Sequence, residues 1–231
     1  MSKPEKLLAR LKSRIIVSCQ PVIGGPMDST AIITAMALAA DSGHAAGLRI
    51  QGIDSVRSVA AASSLPIIGI VKRSLTDSPV VITPLIEDVD GLADAGASII
   101  AYDATQRDRP IPTAAIVRRI QDAGLLAMAD CACVEDGEQA LSEGAHILGT
   151  TLAGYAYNRL PDNSPPDLNL IQNFAAMDSF VIAEGRFHTP GEAAEAIKIG
   201  ADAVVVGSAI TRVENITTWF SDAIAEAAET K

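Results

Sequence analysis

"LADAGASIIAYDA", residues 92–104, reads as the end of one element and the whole of the next. An Ala-rich amphipathic stretch runs into Gly96, and an apolar run through Tyr102 follows at once. A glycine just past a helix end accepts the left-handed backbone that such an ending needs. The short β-rich run after it predicts a strand. The same succession returns as "IQDAGLLAMADC" (120–131), "LSEGAHILGTT" (141–151) and "IKIGADAVVVGSA" (197–209), with a looser copy in "AADSGHAAGLRIQ" (39–51). Helix, glycine, strand, repeated, predicts βα units and a parallel sheet.

Eight such apolar runs are present: Ile15–Cys19, Ala46–Ile50, Ile67–Val71, Ser98–Tyr102, Leu125–Ala129, His146–Thr150, Phe180–Ala183 and Ala203–Val206. Eight strands separated by helices in 231 residues predict a (β/α)8 TIM barrel filling one domain, residues 1–231. "VVITP" (80–84) is expected as a short extended piece in the loop after the third strand. The alternative is an open doubly wound sheet, which announces itself by a Gly-rich phosphate loop after the first strand. Here that segment is "QPVIGGPMDS" (20–29), with no G-x-G-x-x-G or Walker pattern. It suits an irregular loop in which Ser29 or Asp28 caps the following helix. The Pro-rich "YNRLPDNSPPDLN" (157–169) reads as a long barrel loop, because the pattern continues on both sides of it.

Hydrophobic residues make up 48% of the chain and aromatics only 3%, so the core must be aliphatic. The formal net charge of −10 leaves no basic footprint for nucleic acid and no polybasic membrane patch. An anionic ligand must then be held by a few local cations or by helix N-termini. Three cysteines, an odd count, argue against a disulfide framework and for a cytoplasmic protein. The N-terminus lacks a secretory pattern, and the longest apolar stretch, "AIITAMALAA" (31–40), is too short to span a bilayer.

In a barrel the active face is built from C-terminal strand ends and the loops after them. The polar residues there are Gln20, Arg49, Lys72, Asp103, Asp130, Thr150 with Thr151, Glu184 with Arg186, and Ser208. Lys72 ends "PIIGIVKRS" (66–74), a run apolar enough for a strand buried on both faces. Its plain alternative is a solvated lysine. Glu184 and Asp130 are alternatively salt-bridge partners of a neighbouring cation such as Arg49, and Arg73 is expected to be solvated or paired with an acid. "AEGRFHTPGEA" (183–193) and "ADAVVVGSAI" (201–210) follow strands seven and eight. They carry glycines and helix-start signals, Thr189–Pro190 and a helix expected near Arg212. Loops in those two places form the phosphate site common to barrels, where backbone N–H groups point at the anion.

Other constellations carry less. Cys131-x-Cys133 is too closely spaced for a usual zinc pair and has no second half. The histidines are isolated, and His146, opening a strand, is expected to be structural. No metal site and no Ser-His-Asp set is expected.

Taken in order, "SCQP", "GLRIQG", "LPIIGIVKR", "DSPVVITP", "IIAYDAT", "ADC", "GTTLAGY", "VIAEGR…TP" and "VVVGSAITR" resemble the N-acetylmannosamine-6-phosphate 2-epimerases of sialic acid catabolism. The likeness runs from about Arg14 to Phe220. It implies that Lys72 moves the C2 proton and that Glu184 is its acidic assistant. It implies substrate contacts from Gln20, Arg49 and Asp130, and a phosphate region at Gly185, Gly207, Ser208 and Arg212. It further implies a metal-independent enzyme without a cofactor, acting on a phosphorylated N-acyl amino sugar and usually a homodimer. The sequence departs from the family's wording at Gln51, at Cys131–Ala132–Cys133 and in the loop "VIGGPMDS", all near the mouth, where substrate preference is set.

Inversion at C2 requires the proton to be α to the open-chain aldehyde, a base to take it, and a proton to return on the other face. A free lysine titrates near about 10.4. Burial and Arg49 would push Lys72 down, and an ionised Glu184 would push it up. Lys72 acts either as that base or as a Schiff-base nucleophile. Another phosphosugar barrel enzyme, an aldolase or a 3-epimerase, and a non-catalytic phosphosugar-binding protein are the competing readings. The amphipathic "ITTWFSDAIAEAAE" (216–229), with Trp219 beside Phe220, is expected to pack in the core or against a partner subunit.

Overall fold

The computed structural model describes residues 2–161 and 164–229. Eight parallel strands close into a barrel in chain order: β1 (Arg14–Cys19), β2 (Gly47–Gln51), β3 (Ile67–Ile70), β4 (Ile99–Asp103), β5 (Leu126–Asp130), β6 (Ile147–Gly149), β7 (Phe180–Glu184) and β8 (Ala203–Val206). Pairing of Ile16 with Val205 joins β8 back to β1. The helices are α1 (Lys3–Leu11), α2 (Thr30–Ser42), α3 (Ile53–Ala62), α4 (Ile86–Asp94), α5 (Thr113–Asp122), α6 (Val134–Ser142), α7 (Leu168–Ala175), α8 (Pro190–Lys198), the short α9 (Ser208–Thr211) and α10 (Val213–Glu229). The expected eight strands are all present, with no end displaced by more than one residue. Asp162 and Asn163, within the Pro-rich segment, lie outside the described residues.

The repeated glycines do what the pattern requires. Gly96, Gly124, Gly144 and Gly200 follow α4, α5, α6 and α8 with φ of 99°, 71°, 95° and 116°. The looser copy differs: α2 ends on Gly43 at φ −83°, and His44 takes the left-handed turn at φ 67°. Helix starts are fixed by Ser29, whose side chain accepts from the Ile32 N–H, and by a capping box between Thr189 and Glu192. Asp28 instead accepts from the Gly24 N–H.

Alternation along the strands builds two cores. Ile16, Ile68, Ile70, Ile99, Ala101, Leu126, Met128, Ile147, Ile182, Ala203 and Val205 pack inside the barrel. Leu11 of α1, with Leu7 and Leu8 against it, joins this core. The intervening residues, such as Leu48, Ile50, Ile100 and Val204, pack outward under the helices. Side chains two apart on a strand share a face. Extending the inward parity past each apolar layer reaches Gln20, Arg49, Lys72, Asp103, Asp130, Thr151, Glu184 and Gly207. This resolves why a strand buried on both faces finishes on a lysine: Lys72 continues the inward row of Ile68 and Ile70 into the mouth. Arg73 has the opposite parity and pairs with buried Asp88 of α4, Nε to Oδ1 2.7 Å.

"VVITP" is the extended piece expected. Lys72 and Ile82 form an isolated antiparallel bridge, and the Thr83 hydroxyl donates to the Ala101 carbonyl at 2.7 Å. The segment Val80–Thr83 thus backs the lysine.

Candidate active site

The mouth holds a cavity of about 540 Å³. Lys72, Glu184 and Gln20 line it, together with Gly185, Gly207, Ser208 and Arg212. Seven of the nine residues to which the resemblance gives a role therefore share one space, and Asp103, Thr151 and Arg186, also read from strand ends, line it with them. Arg49 and Asp130 do not line it. They lie beneath it, 1% and 0% exposed.

That lower layer is an ion-pair network. Arg49 donates to both Asp130 oxygens, Nη1 to Oδ1 3.1 Å and Nη2 to Oδ2 2.5 Å. Its Nη1 also stands 2.9 Å from Glu184 Oε2. Thr151 donates to Asp130 Oδ1 at 2.6 Å and lies 3.3 Å from Glu184 Oε2. Thr150 secures the backbone on which Glu184 sits, donating to its carbonyl and accepting from its N–H at 2.9 and 3.0 Å. The salt bridges expected as the plain reading exist, and through Arg49 they hold Glu184, which lines the cavity.

Burial and charge bring the two facing groups near neutrality. Burial pushes Lys72 down to about 8, aided by Arg49 and Arg212, and Glu184 and Asp130 only partly oppose this. Burial pushes Glu184 up to about 7 against the pull of Arg49, with Asp130 adding to the rise. The competition left open by the sequence is thus won by desolvation. Arg49 keeps its proton firmly, because the attraction of Asp130 and Glu184 outweighs the desolvation that is its largest single influence.

The other end of the cavity is built from the β7 and β8 loops. Gly185 at φ 110° and Arg186 at φ 58° turn the chain after Glu184. Arg186 does not face an anion freely: its Nε donates to Pro165 O at 3.0 Å, Nη1 donates to Ala153 O, and the guanidinium lies 5.5 Å over the Tyr155 ring. Arg212 donates through Nε to Gln20 O at 2.9 Å. The helix expected near Arg212 is α10, which begins at Val213, and the four-residue α9 precedes it directly after Gly207, so that Arg212 links the two. The first N–H groups of a helix have no partner within it, so Ser208 opens a donor end at the cavity. The carbonyl side of Gln20 has no partner, and its amide donates to Ser18 at 2.7 Å.

Several lining residues were not singled out from the sequence. Arg107, Tyr155, Arg159 and Asn215 come from loops or α10 and carry no parity signal. Trp219 is neither in the core nor far from the site: it packs edge-on to His188, ring centroids 4.6 Å apart, and both line the cavity. His146 is structural, its Nδ1 accepting from the Ala127 N–H at 3.1 Å. The cysteines are free thiols, and burial raises Cys19 to about 12. Among the described residues no group of three or more His, Cys, Asp or Glu is placed to hold a metal ion.

The model of the family described as "Putative N-acetylmannosamine-6-phosphate epimerase" matches residues 33–226. The chain belongs to the N-acetylmannosamine-6-phosphate epimerase family. It is 51% identical over 225 residues to the "Bifunctional enzyme NanE/NanK" of Brucella melitensis biotype 1, covering 97% of this chain and 43% of that one. The chain therefore spans less than half of that relative's length. It is 52% identical over 213 residues to the "Putative N-acetylmannosamine-6-phosphate 2-epimerase" of Vibrio vulnificus, covering 92% and 94% of the two. The solved N-acetylmannosamine-6-phosphate 2-epimerase from Clostridium perfringens superposes with a TM-score of 0.90 at 39% identity, over 94% of this chain and 95% of that one. Family membership and the barrel thus agree with the resemblance carried by the strand-end motifs.

Proposed function

We propose that the protein epimerises N-acetylmannosamine 6-phosphate at C2 to N-acetylglucosamine 6-phosphate, an isomerase step of amino-sugar catabolism. The observation that carries this reading is the placement of Lys72 and Glu184. They come from strands four apart in a ring of eight, so they face each other across the mouth, and both titrate near neutrality. A planar intermediate lying between them presents one face to each.

In this reading the phosphate sits against Gly185, Gly207, Ser208 and Arg212, and the sugar's open-chain aldehyde end lies over Arg49 and Asp130. One of the facing pair takes the C2 proton, and the bonding electrons move onto the C1 oxygen. The other returns a proton on the opposite face. A group that titrates near the working pH is the effective acid or base, worth roughly 10²–10⁴-fold. The fixed charge of Arg49 favours the negative charge that develops at C1 without reorganising. Gln20 offers its unpaired carbonyl to a sugar hydroxyl.

Proton NMR in D₂O tests the proposal. Wild type should replace the C2 hydrogen of N-acetylmannosamine 6-phosphate by deuterium while the gluco epimer appears, and Lys72→Ala should do neither. Binding without exchange by wild type would instead mark a phosphosugar-binding protein. Borohydride treatment with substrate should leave Lys72 unmodified, and a trapped adduct would move the reaction to the Schiff-base class.

A homodimer, a single-domain chain and a cytoplasmic setting belong to the same proposal. α10 has no buried residue, and Phe220 and Ile224 stand about two-thirds exposed on it, at 68% and 69%. A second copy covering that stripe gives twice the monomer mass in sedimentation, which Phe220→Asp should halve. Among the described residues no helix is long and apolar enough to cross a membrane.

A further inference from the structure

The cavity has a third wall that neither the proton-transfer pair nor the phosphate end uses. β4 lies four strands from β8, so the loop after β4 faces the phosphate region across the mouth. Arg107 from that loop lines the cavity beside Pro79 and Val81. With the phosphate on C6 held at β7 and β8, the C1 oxygen over Arg49, and C2 between Lys72 and Glu184, the remaining substituent on C2 points to this wall. We propose that Arg107, with Val81 and Pro79, reads the N-acyl group: the guanidinium donates to the amide carbonyl, and the two hydrocarbon side chains meet the methyl. This assignment rests on the epimerase reading above.

The guanidinium is preorganised for one more acceptor. Its Nε donates to Thr105 Oγ1 at 2.9 Å and its Nη2 to Asp103 Oδ2 at 2.7 Å; neither bond uses Nη1. Asp103 is itself fixed, accepting on Oδ1 from the Thr105 N–H at 3.0 Å and hydroxyl at 2.5 Å. The loop is pinned from behind, where Tyr157 accepts from the Gln106 N–H and donates to buried Asp136, both at 2.9 Å. The two halves of the wall are tied together by the Ser78 hydroxyl, which donates to Asp108 O at 2.6 Å. A donor held this way loses little freedom when it binds.

The chemistry of the wall selects the ligand group. Asp103 is shared by Arg107 and Arg109, whose Nη2 stands 3.4 Å from Oδ1, so it offsets their charge only in part, and the Nη1 of Arg107 remains a donor that a carbonyl oxygen can accept from. Val81 and Pro79 add an apolar surface of the size a methyl group needs. An N-acyl group offers both features, a strong neutral acceptor and a small apolar end.

The test separates acylated from unacylated ligands. Dissociation constants for N-acetylglucosamine 6-phosphate and glucose 6-phosphate are measured by calorimetry on wild type and Arg107→Met. Loss of one hydrogen bond to a charged donor should weaken the acylated ligand about 10- to 100-fold, while glucose 6-phosphate binding stays as in wild type. Equal losses for both ligands, or no loss for either, overturn the assignment. Arg107 also offsets buried Asp103, so a second variant leaves that pair intact. Val81→Ala should raise the preference for an N-propanoyl over an N-acetyl substrate by about tenfold or more, the scale of one methylene in an apolar pocket. An unchanged preference overturns the assignment. C2 exchange by wild type is read first: its absence sinks the epimerase reading and this assignment with it, whereas exchange with equal ligand losses sinks this assignment alone.

Discussion

Arg49 Nη1 stands 2.9 Å from Glu184 Oε2, joining a residue at the second strand to one at the end of the seventh. The same guanidinium holds Asp130, so one cation is shared by two carboxylates of which one faces the cavity. Removing a single partner from a buried pair leaves an uncompensated charge, which costs about 3–5 kcal/mol. Arg49→Ala should therefore lower unfolding stability by that amount in urea titration. Arg49→Met combined with Asp130→Leu removes two of the three charges, and Glu184, already pushed up to about 7 by burial, takes up a proton once Arg49 no longer opposes it, so the double variant should recover most of the loss. Equal losses in the single and double variants would contradict the argument.

The rate should depend on pH as a narrow bell. The competent state has one proton on the Lys72–Glu184 pair. Activity rises as Glu184 loses its proton near about 7 and falls as Lys72 loses its proton near about 8. These limbs belong to the pair rather than to either residue, because the two groups interact. The check is kcat/KM from pH 5 to 10; a plateau extending to pH 10 would mean that Lys72 keeps its ordinary titration.

Glu184→Gln gives a second reading of the same coupling. Glu184 raises the Lys72 value, so its neutralisation should move the Lys72 midpoint below about 8. Nitrogen NMR of the Lys72 Nζ reports the midpoint directly, and an upward move would reverse the assigned sign. C2 exchange should fall about 10²- to 10⁴-fold in the same variant.

Arg212→Ala tests the phosphate end. A charge-assisted bond to phosphate is worth about 1.5–3 kcal/mol, so KM for the phosphorylated sugar should rise about 10- to 100-fold. Affinity for unphosphorylated N-acetylmannosamine should not change. Equal weakening of both would place Arg212 in a structural role, through its bond to Gln20 O.

Gly137 decides between two opposing rules. Alanine in a helix interior is ordinarily about 1 kcal/mol better than glycine. At Gly137 of α6, however, a Cβ would sit 2.5 Å from the ring of Phe174, which is fully buried. Overpacking a core costs about 1–3 kcal/mol. Gly137→Ala should therefore lower the Tm, and a raised Tm would show that the Phe174 ring yields.

Much of this was legible because local rules suffice for it. The left-handed residue after a helix, the four- or five-residue apolar run and the strand-end position of Lys72 and Glu184 each depend on a few neighbours in the chain. The exception shows the limit: Gly43 looks like the other caps, but the turn falls one residue later, on His44. The helix beginning near Arg212 is present as α10, but the four-residue α9 before it was not read from the sequence, because Gly207 and Ser208 serve a turn or a helix start equally well until the barrel fixes the direction of the chain. Arg107 and Trp219 had no local signal, since nothing in "DATQRDRP" or the last helix states what lies across the mouth.

The sequence by itself determined the repeat, the ring of eight strands and the set of side chains sent to its mouth, because backbone periodicity acts over short range. Only the tertiary structure decided which of those side chains meet the cavity and which lie beneath it, and at what pH they titrate. Lys72 at about 8 and Glu184 at about 7 arise from desolvation and from the charges of Arg49, Asp130 and Arg212, which closure of the barrel brings together from the second strand, the fifth strand and the chain beyond the eighth.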